Sequence, residues 1–257
     1  GRLRPGFDYV DNDHDPSERG STADPAFGHG THVAGLVALA APGATILPLR
    51  VLDPQGQGNA WVLAEALLHA ADPDGNPATA DGAHVVSMSL GSLNRTELLG
   101  AIAKLASCSF VTAPDPADDF TDPGYELDRQ RCAAGSGTLL VAAAGNGGSD
   151  KERQYPAAER VYGLLAVGAT QSSRRLADFS NRGSWVRVAA PGDAVTSTLP
   201  GGGYGTWSGT SMSAPFAAGI AAWVDRYDMR FEGGAPFRFD GREAADSHSR
   251  AWVRDHP

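Results

Sequence analysis

Cysteine is nearly missing: Cys108 and Cys132 are the only two in 257 residues, which excludes a disulfide-built scaffold, and their spacing fits no zinc knuckle. Basic residues are also in deficit. Lys and Arg total 21 against 30 Asp and Glu, a net charge of −9. The basic stripe that a phosphate backbone demands is absent, so no nucleic acid is expected as a partner. No apolar run approaches the roughly 18 residues of a membrane helix; the longest, residues 33–41, is far too short, so no membrane is expected either. Also lacking is a basic-then-apolar leader ahead of Gly1, which reads as a chain processed from, or cut out of, something longer.

What is present supports a large core. Hydrophobic residues make up 42% of the chain, while 32 glycines and 17 prolines point to many tight turns and loops, where sites live. Apolar periodicity predicts helices over 31–41, 59–71, 96–106 and 211–227, and strands over 45–51, 83–88, 138–144, 164–168, 185–190 and 194–199. Strand and helix alternate. That pattern predicts an α/β fold of three layers, a mostly parallel central sheet with helices on both faces and ligands at the carboxyl ends of its strands. Residues 107–131, rich in proline and acidic side chains, are too long for an ordinary connection and read as an inserted surface excursion. One domain over 1–230 and a polar tail over 231–257 are expected.

Three glycine-flanked clusters carry chemistry. Gly28-His29-Gly30-Thr31-His32 sets a histidine at the mouth of a buried helix, within reach of a substrate or simply as a cap. Ala142-Ala143-Ala144-Gly145-Asn146-Gly147 runs an apolar strand into a turn that displays one amide, a donor for a developing oxyanion or a plain turn residue. Ser208-Gly209-Thr210-Ser211-Met212-Ser213-Ala214-Pro215 starts a helix with a serine where free N–H groups favour negative charge, or where it caps the helix. Taken together, a His, an Asn and a Ser in three loops converge on acyl transfer by an activated serine.

These three blocks, in this order, resemble the signature blocks of the subtilisin-like serine proteases of the bacterial thermitase/subtilisin branch, over about residues 6–227. The resemblance implies a secreted, monomeric endopeptidase acting on peptides or proteins with no cofactor needed for catalysis. His29 is then the general base, Ser211 the nucleophile, and Asn146 the oxyanion-hole side chain, assisted by the Ser211 N–H. Ser89-Leu90-Gly91 resembles the edge that pairs with an extended substrate. Ala143, Ala144, Gly145 and Gly147 resemble the walls of a specificity pocket with room for a large apolar residue. Phe216 replaces the usual histidine of the serine block and is expected to pack inward; Met212 is expected to be exposed enough to oxidise.

One part of the pattern is not there. The family places an aspartate upstream of the histidine, at the end of an apolar strand, and none of Asp8, Asp11, Asp13, Asp15 and Asp24 follows such a strand. The chain reads as starting after that segment, with a central strand lost, its neighbours' edges unpaired, and activity impaired. A rival reading is a catalytically inactive domain of the same fold that binds peptides. Residues 8–15 resemble a calcium loop of thermitase-like members, with Asp8 and Asp13 as ligands, or form a solvated acidic turn. Cys108 and Cys132 either form a bridge at the base of the insertion or stay reduced.

Overall fold

The structure, a computed structural model, describes residues 2–226 other than 80, 113, 115, 118, 135 and 136. The expected tail over 231–257 lies outside the described residues. In chain order the elements are β1 (Phe7–Asp8), α1 (His29–Ala40), β2 (Leu49–Arg50), α2 (Ala60–Ala71), β3 (Val85–Met88), α3 (Glu97–Ala106), α4 (Ser109–Thr112), α5 (Glu126–Ala133), β4 (Leu139–Ala143), β5 (Leu164–Thr170), β6 (Val186–Pro191), β7 (Val195–Thr198), β8 (Tyr204–Trp207) and α6 (Thr210–Arg226). The α/β class expected from the alternation holds. Strands β3, β4, β5 and β6 form one parallel sheet in that order.

The pleat of β4 divides the core into two layers, because successive side chains point to opposite faces. Leu140 and Ala142 pack with Leu67 and Ala71 of α2 and Ala103 and Ala106 of α3. Val141 and Ala143 pack with Ala214 and Ala218 of α6, and Phe216 closes against that cluster, inward as its apolar ring requires. Small residues dominate both clusters, which lets helix and sheet approach closely. Capping follows local chemistry: Asn59 accepts from the Val62 N–H at 3.0 Å to start α2, and Thr96 accepts from the Leu99 N–H at 3.4 Å to start α3, each relieving an unpaired donor of the first turn.

The parallel sheet is not continuous. Strands β1 and β2 pair with one another as a separate two-stranded parallel sheet. Among the described residues no strand pairs with the outer edge of β3 or with the other side of β2. Val85, Val86 and Ser87 of β3 are only half-buried, and the Ser87 hydroxyl oxygen is buried without a partner. The antiparallel pair β7–β8 adds a strand that periodicity did not predict.

The segment over 107–131 is more than a loose excursion. It carries α4 and α5, and a disulfide joins Cys108 to Cys132 across 24 positions, so of the two cysteine states considered the bridged one is found. Arg131, 2% exposed, donates to the Leu105 carbonyl at 2.7 Å and to the Ala106 carbonyl at 3.5 Å. Those are the last carbonyls of α3, which have no partner within their own helix, and a cation there also suits the helix dipole. The insertion is thus anchored to the face of the sheet that carries α3.

Candidate active site

Three segments meet at the carboxyl ends of β3 and β4, the two loops that follow those strands and the start of α6, and the start of α1 is placed by Trp207. His29 is the first residue of α1, behind a Gly28 cap held at φ 85°, a left-handed conformation in which glycine is favoured. Ser89-Leu90-Gly91 follows β3, Asn146 follows β4, and Ser211 is the second residue of α6. The turn before Asn146 depends on Gly145, whose φ is 104° and where a Cβ would fall 2.4 Å from Asn181 Nδ2.

The amide of Asn146 has a fixed orientation. Its Oδ1 accepts from the Thr210 N–H at 2.8 Å and from Thr210 Oγ1 at 2.9 Å, while Thr210 Oγ1 accepts from the Gly145 N–H at 3.1 Å. With the carbonyl end held, the Nδ2 end remains to donate outward, beside Gly209. Ser211 is joined to Ser89 in both directions: Ser89 Oγ donates to the Ser211 carbonyl at 2.7 Å, and Ser211 Oγ donates to the Ser89 carbonyl at 3.3 Å. Leu90 turns inward against the core. Gly91 is exposed, and next to it Ser92 bridges Tyr155 in antiparallel fashion.

His29 is held differently. Its ring stacks on Trp207 with centroids 6.3 Å apart and 15° between planes, and His32 stacks on the same indole at 4.7 Å and 7°. Among the described residues no hydrogen bond joins the His29 ring to Ser211 or to a carboxylate. The acid whose charge acts on the ring is Glu18, whose carboxylate accepts from the Gly28 N–H at 3.2 Å, the Thr31 N–H at 3.0 Å and the Thr31 hydroxyl at 3.0 Å, so it caps α1 from outside the helix. Burial draws the His29 pKa below its ordinary value, the Glu18 charge pushes it back up, and His32 adds to the lowering. His32 is fully buried, with Nε2 on the Gly205 carbonyl at 3.1 Å, as suits a structural neighbour.

The remaining expected site residues divide. Ala144 and Gly145 are buried beside the turn and Gly147 is exposed. The Ala143 side chain packs in the α6 layer of the core. Met212, expected to be open to oxidant, is 2% exposed, because it lies on the inward side of α6. Periodicity and motifs gave no role to Thr210, although it lies in the serine block, and missed Glu18, Trp207 and Asn181. Asn181 is fully buried and pins the loop after β4 by accepting from the Gly147 and Ser149 N–H groups at 3.0 and 3.2 Å and donating to the Ala144 carbonyl at 3.1 Å.

For a metal, the oxygens of Asp8 and Asp13 are already engaged. Asp8 accepts from the Val10 and Asp11 N–H groups and from Arg50. Burial alone would raise its pKa, but the Asp11 N–H, Arg50 and the Val10 N–H outweigh that and lower it. Asp13 accepts from the Asp15 N–H and pairs with Arg19. This donor set, satisfied by guanidinium and amide groups, does not fit a calcium ion without displacing Arg50 and Arg19. Among the described residues the acidic group close enough to share an ion is Asp72, Asp74 and Asp81, their ligand atoms within 4.8 Å of one another. Burial, then Asp74 and Asp81, raises the Asp72 pKa.

Comparison with known proteins matches residues 3–230 to the subtilase family. The chain is 35% identical over 232 residues to a thermophilic serine proteinase of Bacillus sp. (strain AK1), covering 86% of this chain and 47% of that protein. It is 34% identical over 232 residues to thermitase of Thermoactinomyces vulgaris, covering 86% and 67%, and 33% identical over 235 residues to subtilisin E of Bacillus subtilis (strain 168), covering 86% and 50%. The chain spans about half the length of most of the curated relatives it matches. Among solved structures, a cold-adapted subtilisin-like serine proteinase superimposes with a TM-score of 0.61 at 31% identity, covering 88% of this chain and 69% of that one.

Proposed function

Since the chain belongs to the subtilase family, we propose that it is a serine endopeptidase in which Ser211, His29 and Asn146 carry out acyl transfer on peptide bonds. The observation that carries this reading is the fixed Asn146 amide: Thr210 takes its oxygen and leaves the Nδ2 donor beside the first turn of α6. The Ser211 N–H, in that turn, has no acceptor within its own helix. Two donors therefore converge where a tetrahedral oxyanion would form.

In the proposed sequence Ser211 Oγ leaves the Ser89 carbonyl, passes its proton to His29 and attacks the scissile carbonyl carbon. The oxyanion is held by Asn146 and the Ser211 N–H. His29 returns the proton to the departing amine, and water then cleaves the acyl-enzyme by the reverse pathway. Substrate main chain lies along Ser89 and Gly91 as an added strand, with Ala144, Gly145 and Gly147 around its leading side chain. Among the described residues no carboxylate is hydrogen-bonded to the His29 ring, so turnover by them is slow; a segment ending in the expected aspartate would complete the triad. Secretion and action as a monomer on protein substrates extend the same reading. So does a structural calcium at Asp8 and Asp13, which would have to displace Arg50 and Arg19; equal melting temperatures in calcium and in chelator would remove it.

The test is hydrolysis of an unstructured protein substrate. New peptide ends should accumulate slowly with the unaltered chain and not at all with Ser211→Ala; equal rates for the two would reject the reading. That no hydrogen bond among the described residues joins the His29 ring to Ser211 or to a carboxylate favours a second reading, a non-catalytic domain that binds extended peptides at Ser89 to Gly91. Peptide binding without any cleavage would select it.

A further inference from the structure

We propose that the Ser89 hydroxyl is a positioning residue for Ser211, supplying the hydrogen bond that Pro215 removes from the first turns of α6. The inference rests on the reading of Ser211 as the nucleophile and assigns to the Ser89 side chain a role separate from the substrate edge.

Helix geometry gives the reason. In an α-helix each carbonyl accepts from the N–H four residues ahead. For Ser211 that residue is Pro215, inside α6, and proline has no N–H to give. The Ser211 carbonyl thus loses its helical donor at a half-buried position, where an unmade hydrogen bond is expensive. Ser89 Oγ, 122 residues away in the chain, donates to that oxygen at 2.7 Å. The Ser211 hydroxyl returns a bond to the Ser89 carbonyl at 3.3 Å, which closes a ring between the loop after β3 and the nucleophile.

This arrangement changes what holds the serine. A carbonyl bonded within its own helix would fix Ser211 to α6 alone. Bonded to Ser89, it sits in register with the edge along which substrate lies. The neighbouring residue is treated in the same way, since Thr210 is tied to Asn146 after β4. The first turn of α6 is therefore referenced to β3 through Ser211 and to β4 through Thr210, which sets nucleophile and oxyanion donor in one frame.

The proposal predicts a specific rescue. A fluorophosphonate probe is titrated against the unaltered chain, Ser89→Ala, Ser89→Thr, Pro215→Ala and the double variant Ser89→Ala with Pro215→Ala, and the melting temperature of each is recorded. Ser89→Ala should lower the maximal labelling rate about tenfold, the worth of one hydrogen bond, with the half-saturating probe concentration unchanged. Ser89→Thr, which keeps a hydroxyl, should hold most of the rate. Pro215→Ala restores the N–H and should recover the rate in the Ser89→Ala background, and the melting loss caused by Ser89→Ala should shrink there as well. A wild-type rate in Ser89→Ala, or a double variant no better than Ser89→Ala in rate and melting, overturns the proposal. If the unaltered chain takes no label, the protease reading fails separately, and the melting cycle alone decides whether Ser89 replaces the missing donor.

Discussion

Around Ser211 and Asn146, hydrogen bonds run from α6 to the loops after β3 and β4, and the strands beneath belong to a four-stranded sheet with a packed layer on each face. Around His29 the ring is held by stacking on Trp207, with Glu18 acting at a distance through charge and through the helix cap. The two regions are thus secured in different ways. Ser211 and Asn146, the proposed nucleophile and oxyanion donor, are fixed by polar contacts drawn from several elements, while among the described residues the ring of His29, the proposed base, lacks the carboxylate contact that would hold its tautomer and orientation. Ser211 and Asn146 lie beside the four-stranded sheet, whereas His29 follows β1, which belongs to the separate two-stranded sheet.

The strongest way to break this contrast is to supply the contact. A chain extended upstream by a strand ending in aspartate should hydrolyse peptides faster by a factor on the order of 10⁴, the cost of losing that residue in subtilisin. An unchanged rate would mean that His29 needs no carboxylate and that the two regions are equivalent. On the complete side, Asn146→Ala should lower the labelling rate by about 10²- to 10³-fold, the range for one oxyanion donor, and should also lower the melting temperature, because the Thr210 N–H and hydroxyl lose their acceptor. A loss under tenfold would show that the fixed amide does not face the oxyanion.

The sheet side offers a stability test too. Replacing Cys108 and Cys132 together by alanine releases a 24-position loop and should cost about 3 kcal/mol in denaturant unfolding. Unchanged stability would detach the insertion from the framework to which Arg131 binds it. On the His29 side the effects should be smaller and electrostatic. Glu18 raises the His29 pKa against the lowering by burial, so Glu18→Gln lets it fall further. The neutral base then persists to lower pH, and the acid limb of the labelling rate should move down in pH. Titration of the His29 ring by NMR checks the sign, and an upward shift or none would remove Glu18 from the site. The groups that face the ring are Glu18 from the preceding loop and His32 from α1 itself; Trp207 of β8 does not titrate. Glu18→Ala should also cost about 1 kcal/mol as a lost cap.

Much of this was legible from the chain alone. The glycine-flanked blocks announced His29, Asn146 and Ser211 because a strand end needs small residues to display a side chain, and the apolar periods located α1, α2, α3, α6 and the parallel strands. What stayed hidden has physical causes. Strand β8 carries Gly205 and follows Gly201, Gly202 and Gly203, which masks its alternation. Glu18 lies in an acidic stretch that resembles a solvated turn, and only folding brings it over the start of α1. Thr210 reads as part of a helix start, yet its hydroxyl sets the Asn146 amide. The buried positions of Ala143 and Met212 follow from which face of β4 and α6 each occupies, a matter of layer packing rather than of residue type.

The central claim is that an activated serine, its base and its oxyanion donor belong to one site. Peptide mapping after reaction with a fluorophosphonate tests it directly: the account predicts one adduct, on Ser211, strongly reduced in both His29→Ala and Asn146→Ala. An adduct on another residue, or labelling of Ser211 untouched by both substitutions, would contradict it.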